Sequence, residues 1–397
     1  MTRYRDVERD IESAFGPHSI FVPSARLGLI VALEHFLSPG DGVVMTSVCC
    51  ESVVLALYAA GLQPVFVDVD ARSGNIDCTT LSRNDNVGAR AVLTTNLYGV
   101  PDDLPALVDI CRRRGWLLIE DCAQAIDSVV GGWRVGTAGV AAVYSFPKFL
   151  DEAGGAVVCR DAADAGAIRR RAAGVTRGPK RLSEWARRLQ GVLGLNSQSL
   201  GGLGGRLRRM RSRIANAAGP QPGEKRRRRL ASAGRLLGSG EGPERDVELT
   251  RLLGEDRPEF RRYPVGLFVR RLSQKLRELP KLLERMRHEN QWLIRECPLS
   301  RPPLAGNATA CYLAVPFWTQ QRDMLRSAIE ARMGTRLYYI YDPPLAECLP
   351  SGSYVDGRSS PTRDAHWSSH VLPIRGSQGP ACVQILRSVS GELSGAE

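Results

Sequence analysis

Between residues 20 and 160, short runs of apolar and β-branched residues alternate with stretches whose apolar positions recur every three to four residues. The runs at 43–45, 64–68, 91–95, 116–119, 140–143 and 156–158 predict strands, and the stretches at 26–36, 52–60 and 104–114 predict helices. Strands that are apolar on both faces and separated by helices predict a mostly parallel sheet covered on both sides. The pattern changes at 163. Residues 163–245 are rich in Arg, Gly and Ser, with Gly201-Gly202-Leu203-Gly204-Gly205 and Pro220-Gln221-Pro222-Gly223 as breakers. Helices at 186–192 and 203–218 and a flexible link near 219–224 are expected there. From 246 the periodicity returns, predicting a long helical stretch at 267–297, a strand at 310–315, a helix at 320–333, a strand at 336–341 and a final helix at 379–389. The expected fold class is α/β. A large parallel-sheet domain occupies 1–162, a basic helical insertion or linker 163–245, and a small α+β domain 246–397.

The chain has 397 residues, 43% of them hydrophobic, which suits one large and one small domain. No run of about 18 apolar residues marks a membrane span, and the charged N-terminal stretch lacks the apolar core of a signal peptide. Ten cysteines and five histidines show no metal-ligand spacing, so no metal is expected. The scattered cysteines suit a reducing cytoplasm. The net charge of +12 is unevenly spread: 163–245 holds 20 Lys and Arg against 5 Asp and Glu, leaving the rest slightly acidic. Lys225-Arg226-Arg227-Arg228-Arg229 is the densest block. It reads as a solvated helical face, or as a patch for an anionic surface or carrier such as a nucleotide diphosphate or a lipid-linked phosphate. Specific nucleic-acid binding is disfavoured, because no interleaved aromatics or binding motif accompany the charge.

The candidate chemistry lies in the strand region. Asp121 ends the run Leu117-Leu118-Ile119-Glu120, and Lys148 follows the apolar run 140–146 before Gly154-Gly155. Strand ends of open α/β sheets face the ligand crevice. A carboxylate and a lysine at adjacent strand ends suit pyridoxal 5'-phosphate, whose aldehyde needs an amine and whose ring nitrogen needs a carboxylate to keep its proton. Taken singly, Asp121 reads equally as a loop or capping carboxylate, and Lys148 as a surface lysine. Gln124 could contact the ring substituent or cap a turn. Ser145, with Ser24, Ala25 and Arg26 at the start of a helix, could bind the phosphate, although a serine there is most often a helix cap.

These pieces resemble, in order, the DegT/DnrJ/EryC1/StrS aminotransferases, pyridoxal phosphate enzymes of fold type I that mostly aminate nucleotide-linked keto sugars. Ser24-Ala25-Arg26-Leu27-Gly28-Leu29 matches the phosphate-binding helix start. The segment 61–70 and Asn75-Ile76-Asp77 match the second strand and its tail. Asn96-Leu97-Tyr98-Gly99 matches a His-Leu-Tyr-Gly element, and Glu120-Asp121-Cys122-Ala123-Gln124-Ala125 matches Glu-Asp-Ala-Ala-Gln-Ala. Gly136, Ser145-Phe146, Lys148 and Gly154-Gly155 match the lysine block, and 338–341 and His370-Val371-Leu372-Pro373 the small domain. The resemblance is strong over 20–160 and weaker over 265–390.

The resemblance implies Lys148 as the Schiff-base and proton-transfer residue and Asp121 as the pyridinium partner. It implies Gln124 as a cofactor contact and Ser24, Ala25, Arg26 and Ser145 as the phosphate cup. Asn96 stands at the family's histidine and Cys50 in the segment where relatives place an aromatic stacker, so both are expected at the cofactor. Here Lys148 lies three residues after Ser145 rather than five, and Val48-Cys49-Cys50 carries no aromatic. The expected activity is transfer of an amino group from glutamate or glutamine to a keto sugar nucleotide or a related carbonyl metabolite, by a homodimer. A dehydratase-like pyridoxal phosphate enzyme and a non-catalytic binding protein on the same fold are the alternatives.

Overall fold

The computed structural model describes residues 2–84, 88–176, 222–237, 243–254, 260–264, 266–301, 304 and 307–394. Its centre is a sheet built from β1 (Ser19–Val22), β2 (Gly42–Thr46), β3 (Gln63–Val67), β4 (Ala89–Thr94), β5 (Leu117–Asp121), β8 (Ala141–Ser145), β9 (Gly155–Cys159) and β11 (Val355–Asp356). Two short pairs lie outside it: β6 (Val129–Val130) with β7 (Trp133–Arg134), and β10 (Val315–Trp318) with β12 (Val371–Ile374). The eight strands run in the order β1-β9-β8-β5-β4-β2-β3-β11. Pairing is parallel from β8 through β11, while β9 is antiparallel to both β8 and β1. The strands predicted at 43–45, 64–68, 91–95, 116–119, 140–143 and 156–158 are β2, β3, β4, β5, β8 and β9. They are apolar on both faces because helices cover both: one buried cluster contains Leu29, Leu33, Val54 and Leu57, the other Leu104, Leu107, Val7 and Ile11.

Local chemistry sets the helix ends that matter for the site. Ser24 caps helix Ala25–Phe36, its hydroxyl accepting from the Leu27 amide at 3.2 Å. Asp103 caps helix Leu104–Arg114, Pro105 sits in its first turn, and Gly115 closes it at φ 67°. No described helix is long and apolar enough to cross a membrane.

Several expectations change. The stretch 267–297 is two helices, Gly266–Arg277 and Leu279–Glu296, because Pro280 cannot continue the first and instead opens the second. The strand expected at 310–315 lies at Val315–Trp318. Residues 336–341 form no strand; their backbone is held by side chains, with Tyr98 Oη donating to the Tyr339 carbonyl at 3.0 Å, in place of a ladder. Of the link expected near 219–224, residues 222–224 begin helix Pro222–Leu237, proline being tolerated at a first helical position, and 219–221 lie outside the described residues. The helices expected at 186–192 and 203–218 lie outside the described residues.

Packing also departs from the boundaries at 162 and 245. Leu230, Ala233, Leu249, Leu252 and Leu253 join the same core as β2 and helix Glu51–Ala59. Val269, Leu272 and Leu276 pack with Val7, Ile11 and Phe15 of helix Thr2–Phe15, and β11 extends the large sheet beside β3. A separate small core gathers Leu293, Val315, Phe317, Leu325, Ile329 and Leu386.

Candidate active site

Asp121 is the last residue of β5, and its partner in register on β8 is Val143, two residues before Ser145. Lys148 lies on the helical turn Phe146–Phe149 that follows β8. Adjacent parallel strands thus bring the two residues to the same, carboxyl end of the sheet. Burial pushes the Asp121 carboxyl above its usual value, and the nearby Lys148 charge and the Ala123 amide, which donates to Asp121 Oδ1 at 2.8 Å, pull it back. Lys148 is half-buried and makes no hydrogen bond or ion pair with a described residue. A half-buried lysine without a fixed partner among the described residues is available to react.

The phosphate side assembles around glycine. Ser145 pairs with Gly155 across the β8–β9 ladder, and a Cβ on Gly155 would stand 2.8 Å from the Ala25 nitrogen. Ser145 therefore meets the N-terminus of helix Ala25–Phe36, where the first-turn amides lack intrahelical acceptors. The Ser145 hydroxyl makes no capping hydrogen bond. Gln124 is buried, with Oε1 unpaired, as are the hydroxyls of Thr46 and Thr95 at the carboxyl ends of β2 and β4. Unpaired polar atoms are rare in protein interiors, and these three lie at or just beyond the carboxyl ends of β2, β4 and β5. A phosphorylated pyridine aldehyde fits this set: a carboxylate, an uncommitted amine, a hydroxyl beside a helix N-terminus and an unpaired amide oxygen.

Three expected contacts take other roles. Ser24 is 2% exposed and its hydroxyl is committed, capping its helix and donating to the Phe260 carbonyl at 2.8 Å. The Arg26 side chain leaves the site, donating to Ser52 Oγ at 3.1 Å and the Leu253 carbonyl at 2.9 Å, so its amide is what the site retains. Asn96 is fully buried, with both ends of its amide used. Nδ2 donates to Thr94 Oγ1 and to the Asp121 carbonyl, and Oδ1 accepts from the Asp102 amide. It braces the Asp121 backbone and presents no free atom to a cofactor. Cys50 is half-buried at the start of helix Glu51–Ala59 and makes no side-chain cap.

Two carboxylates do supporting work that the sequence did not announce. Glu120 accepts from the amides of Gly136, Ala138 and Gly139 at 2.7–2.8 Å and shapes the loop before β8. Asp102 accepts from Ile76, Thr95 and Asn96, and burial pushes its carboxyl up to about 6. The Glu120-Asp121 doublet contains the clue, since neighbouring strand residues face opposite sides and only one can reach the crevice.

The basic block is not a solvated face at every position. Arg226 and Arg229 are buried and pair with Glu51 at 3.5 and 3.1 Å. Arg226 also donates to the Cys49 carbonyl at 2.8 Å and lies 5.7 Å over the Tyr341 ring. Arg227 and Arg228 are exposed beside Glu347 and Glu224. Near Val48 and Cys50 the aromatics come from afar, as Tyr98, Tyr341 and Trp367 cluster there. Among the described residues no cluster suits a metal ion. Cavities of about 130 and 370 Å³, one lined by Asp70, Asp77 and Asp103 and the other by Asp127 and Arg287, include neither Asp121 nor Lys148.

The chain is 34% identical over 146 residues to the dTDP-4-dehydro-2,3,6-trideoxy-D-glucose 4-aminotransferase of Saccharopolyspora spinosa, covering 35% of this chain and 38% of that protein. It is 31% identical over 200 residues to the UDP-N-acetyl-3-dehydro-alpha-D-glucosamine 3-aminotransferase of Acidithiobacillus ferrooxidans, covering 49% and 52%. These matches span between a third and about half of the relatives' length. The crystal structure of the aminotransferase TlmJ from Streptoalloteichus hindustanus shares the fold, with a TM-score of 0.68 at 21% identity over 99% of this chain and 92% of that one. The sequence profile of the DegT/DnrJ/EryC1/StrS aminotransferase family matches residues 4–206, about half of the chain, and the chain belongs to that family.

Proposed function

We propose that the protein is a pyridoxal phosphate-dependent aminotransferase that passes an amino group from glutamate or glutamine to a keto sugar carried on a nucleotide, or to a related carbonyl metabolite. The observation that carries this reading is the uncommitted Lys148 amine beside a half-buried Asp121 at the carboxyl ends of β5 and β8. Membership in the family and likeness to two aminotransferases that act on nucleotide sugars support the substrate class.

Pyridoxal phosphate would supply an electron sink for the carbon that gains or loses nitrogen. Lys148 Nζ would hold the aldehyde end of the cofactor and would move a proton at the amino-bearing carbon. Asp121 would keep the ring nitrogen protonated, its half-buried carboxylate stabilising that charge more strongly than water would. Ser145 and the Ala25 and Arg26 amides would hold the phosphate, and Gln124 would donate or accept at the ring substituent. Asn96 keeps the Asp121 backbone in place. The same reading carries a homodimer and a cytoplasmic setting, the latter supported by ten free cysteines.

The test is direct. Purified protein incubated with pyridoxal phosphate should absorb in the visible, and borohydride should leave the reduced cofactor on the Lys148 peptide. In a separate sample left unreduced, glutamate should be converted stoichiometrically to 2-oxoglutarate. A Lys148→Ala variant that still fixes cofactor and turns over at the wild-type rate would defeat the assignment.

A further inference from the structure

The turn that presents Lys148 runs from Ser145 to Gly155, and its base is closed by the β8–β9 ladder and by the Phe146 amide donating to the Gly154 carbonyl at 3.2 Å. Phe146, Phe149 and Leu150 are buried in the core. Asp151 is held at φ 52°, a left-handed conformation that a residue with a side chain rarely adopts without help. The next residue, Glu152, is 4% exposed, an unusual place for a carboxylate.

The help comes from helix Gly266–Arg277. Arg271 and Lys275, one helical turn apart, both approach Glu152 Oε1 at 3.0 Å. Neither lies on its hydrogen-bonding direction, so the attraction is charge on charge. Lys275 Nζ also donates to the Leu150 carbonyl at 2.5 Å. One lysine thus grips the turn at two points, two and four residues beyond Lys148. The gripping helix is itself tied to helix Thr2–Phe15, where Ser273 donates to Asp10 and Arg277 pairs with it at 3.5 Å.

We propose that Glu152, clamped by Arg271 and Lys275, is a positioning residue that sets where the Lys148 amine stands relative to Asp121. A turn in which Lys148 comes only three residues after Ser145 leaves little slack, so a shift at Leu150 or Glu152 displaces the amine. The inference rests on the reading of Lys148 as the amine that takes the aldehyde, and its test separates the two.

Cofactor-free full-length protein, wild type and the variants Glu152→Gln, Lys275→Met and Arg271→Met, would be given trace reductive methylation across pH 7–10, and each lysine followed by peptide mass. The same proteins would be mixed with pyridoxal phosphate and quenched with borohydride. The rate of fixation at Lys148 should fall about tenfold or more in Glu152→Gln and Lys275→Met. The pH profile of Lys148 methylation should move while that of the other lysines stays, and the charge-swapped pair Glu152→Lys with Lys275→Glu should recover part of the rate. Wild-type fixation and an unmoved Lys148 profile in variants whose only change is a lower urea midpoint would overturn the proposal. If Glu152→Gln does not fold, the half-exposed Arg271 and one-third-exposed Lys275 variants decide the question. Failure of wild-type protein to fix pyridoxal phosphate at Lys148 would defeat the functional reading, and the methylation profiles would still judge the clamp.

Discussion

At the scale of single residues, the site shows how burial changes the work of a polar group. Lys148 and Asp121 could be singled out only as a pair, because a carboxylate and a lysine at adjacent strand ends suit the two ends of one cofactor while each alone has ordinary uses. Ser24 and Asn96 were legible as positions but not as roles, because only the fold reveals that their polar atoms are already committed to Phe260, Leu27, Thr94 and Asp121. Asp364 gives the same lesson with a titration attached. It is fully buried, receives a hydrogen bond from Ser47 and pairs with Arg358 at 3.2 Å, yet burial outweighs both and pushes its carboxyl up to about 6. The folded chain therefore holds this proton more tightly than the unfolded chain. The stability from protonated Asp364 is fully present below about pH 4 and is lost as pH rises through about 6, a change of up to about 3 kcal/mol. Urea unfolding between pH 4 and 6.5 should show a shallower decline with pH in Asp364→Asn than in wild type. An unchanged slope would remove Asp364 as its source.

At the scale of elements, close approach is the constraint. Helix Ala25–Phe36 reaches the β8–β9 end only because Gly155 has no side chain; a Cβ there would meet the Tyr144 carbonyl at 2.5 Å and the Ala25 nitrogen at 2.8 Å, both backbone atoms that cannot swing aside. Gly155→Ala should cost about 1–3 kcal/mol and weaken retention of pyridoxal phosphate by moving the helix N-terminus off Ser145. The control is Gly166→Ala within helix Ala162–Val175, where the nearest atom is the tip of Arg170 at 3.5 Å and a small gain in melting temperature is expected. Equal effects in thermal melts would refute the argument. The central strands were readable from their apolar runs. The edge strands β1 and β11 were not, since four and two residues leave no periodicity, and the break at Pro280 needed the chain's geometry to appear.

At the scale of the whole molecule, the distant helices Pro222–Leu237 and Pro243–Gly254 belong to the same core as β2, with Glu51 as the joint between Arg226 and Arg229. Glu51→Gln would strand buried positive charge, at a cost of about 3 kcal/mol, and should open helix Pro222–Leu237 to protease before the sheet unfolds. Cleavage and unfolding that remain concurrent, at wild-type urea midpoints, would show that Glu51 is not the joint. By itself the sequence determined the parallel sheet, its strand–helix alternation and the Asp121–Lys148 pair, because apolar periodicity and chemically scarce residue types are local properties. Only the tertiary structure decided which polar atoms remained free for a ligand, that Arg226 and Arg229 turn inward, and that Glu152 is clamped from a helix more than a hundred residues away. Those outcomes depend on long-range burial and charge pairing, which no local pattern encodes.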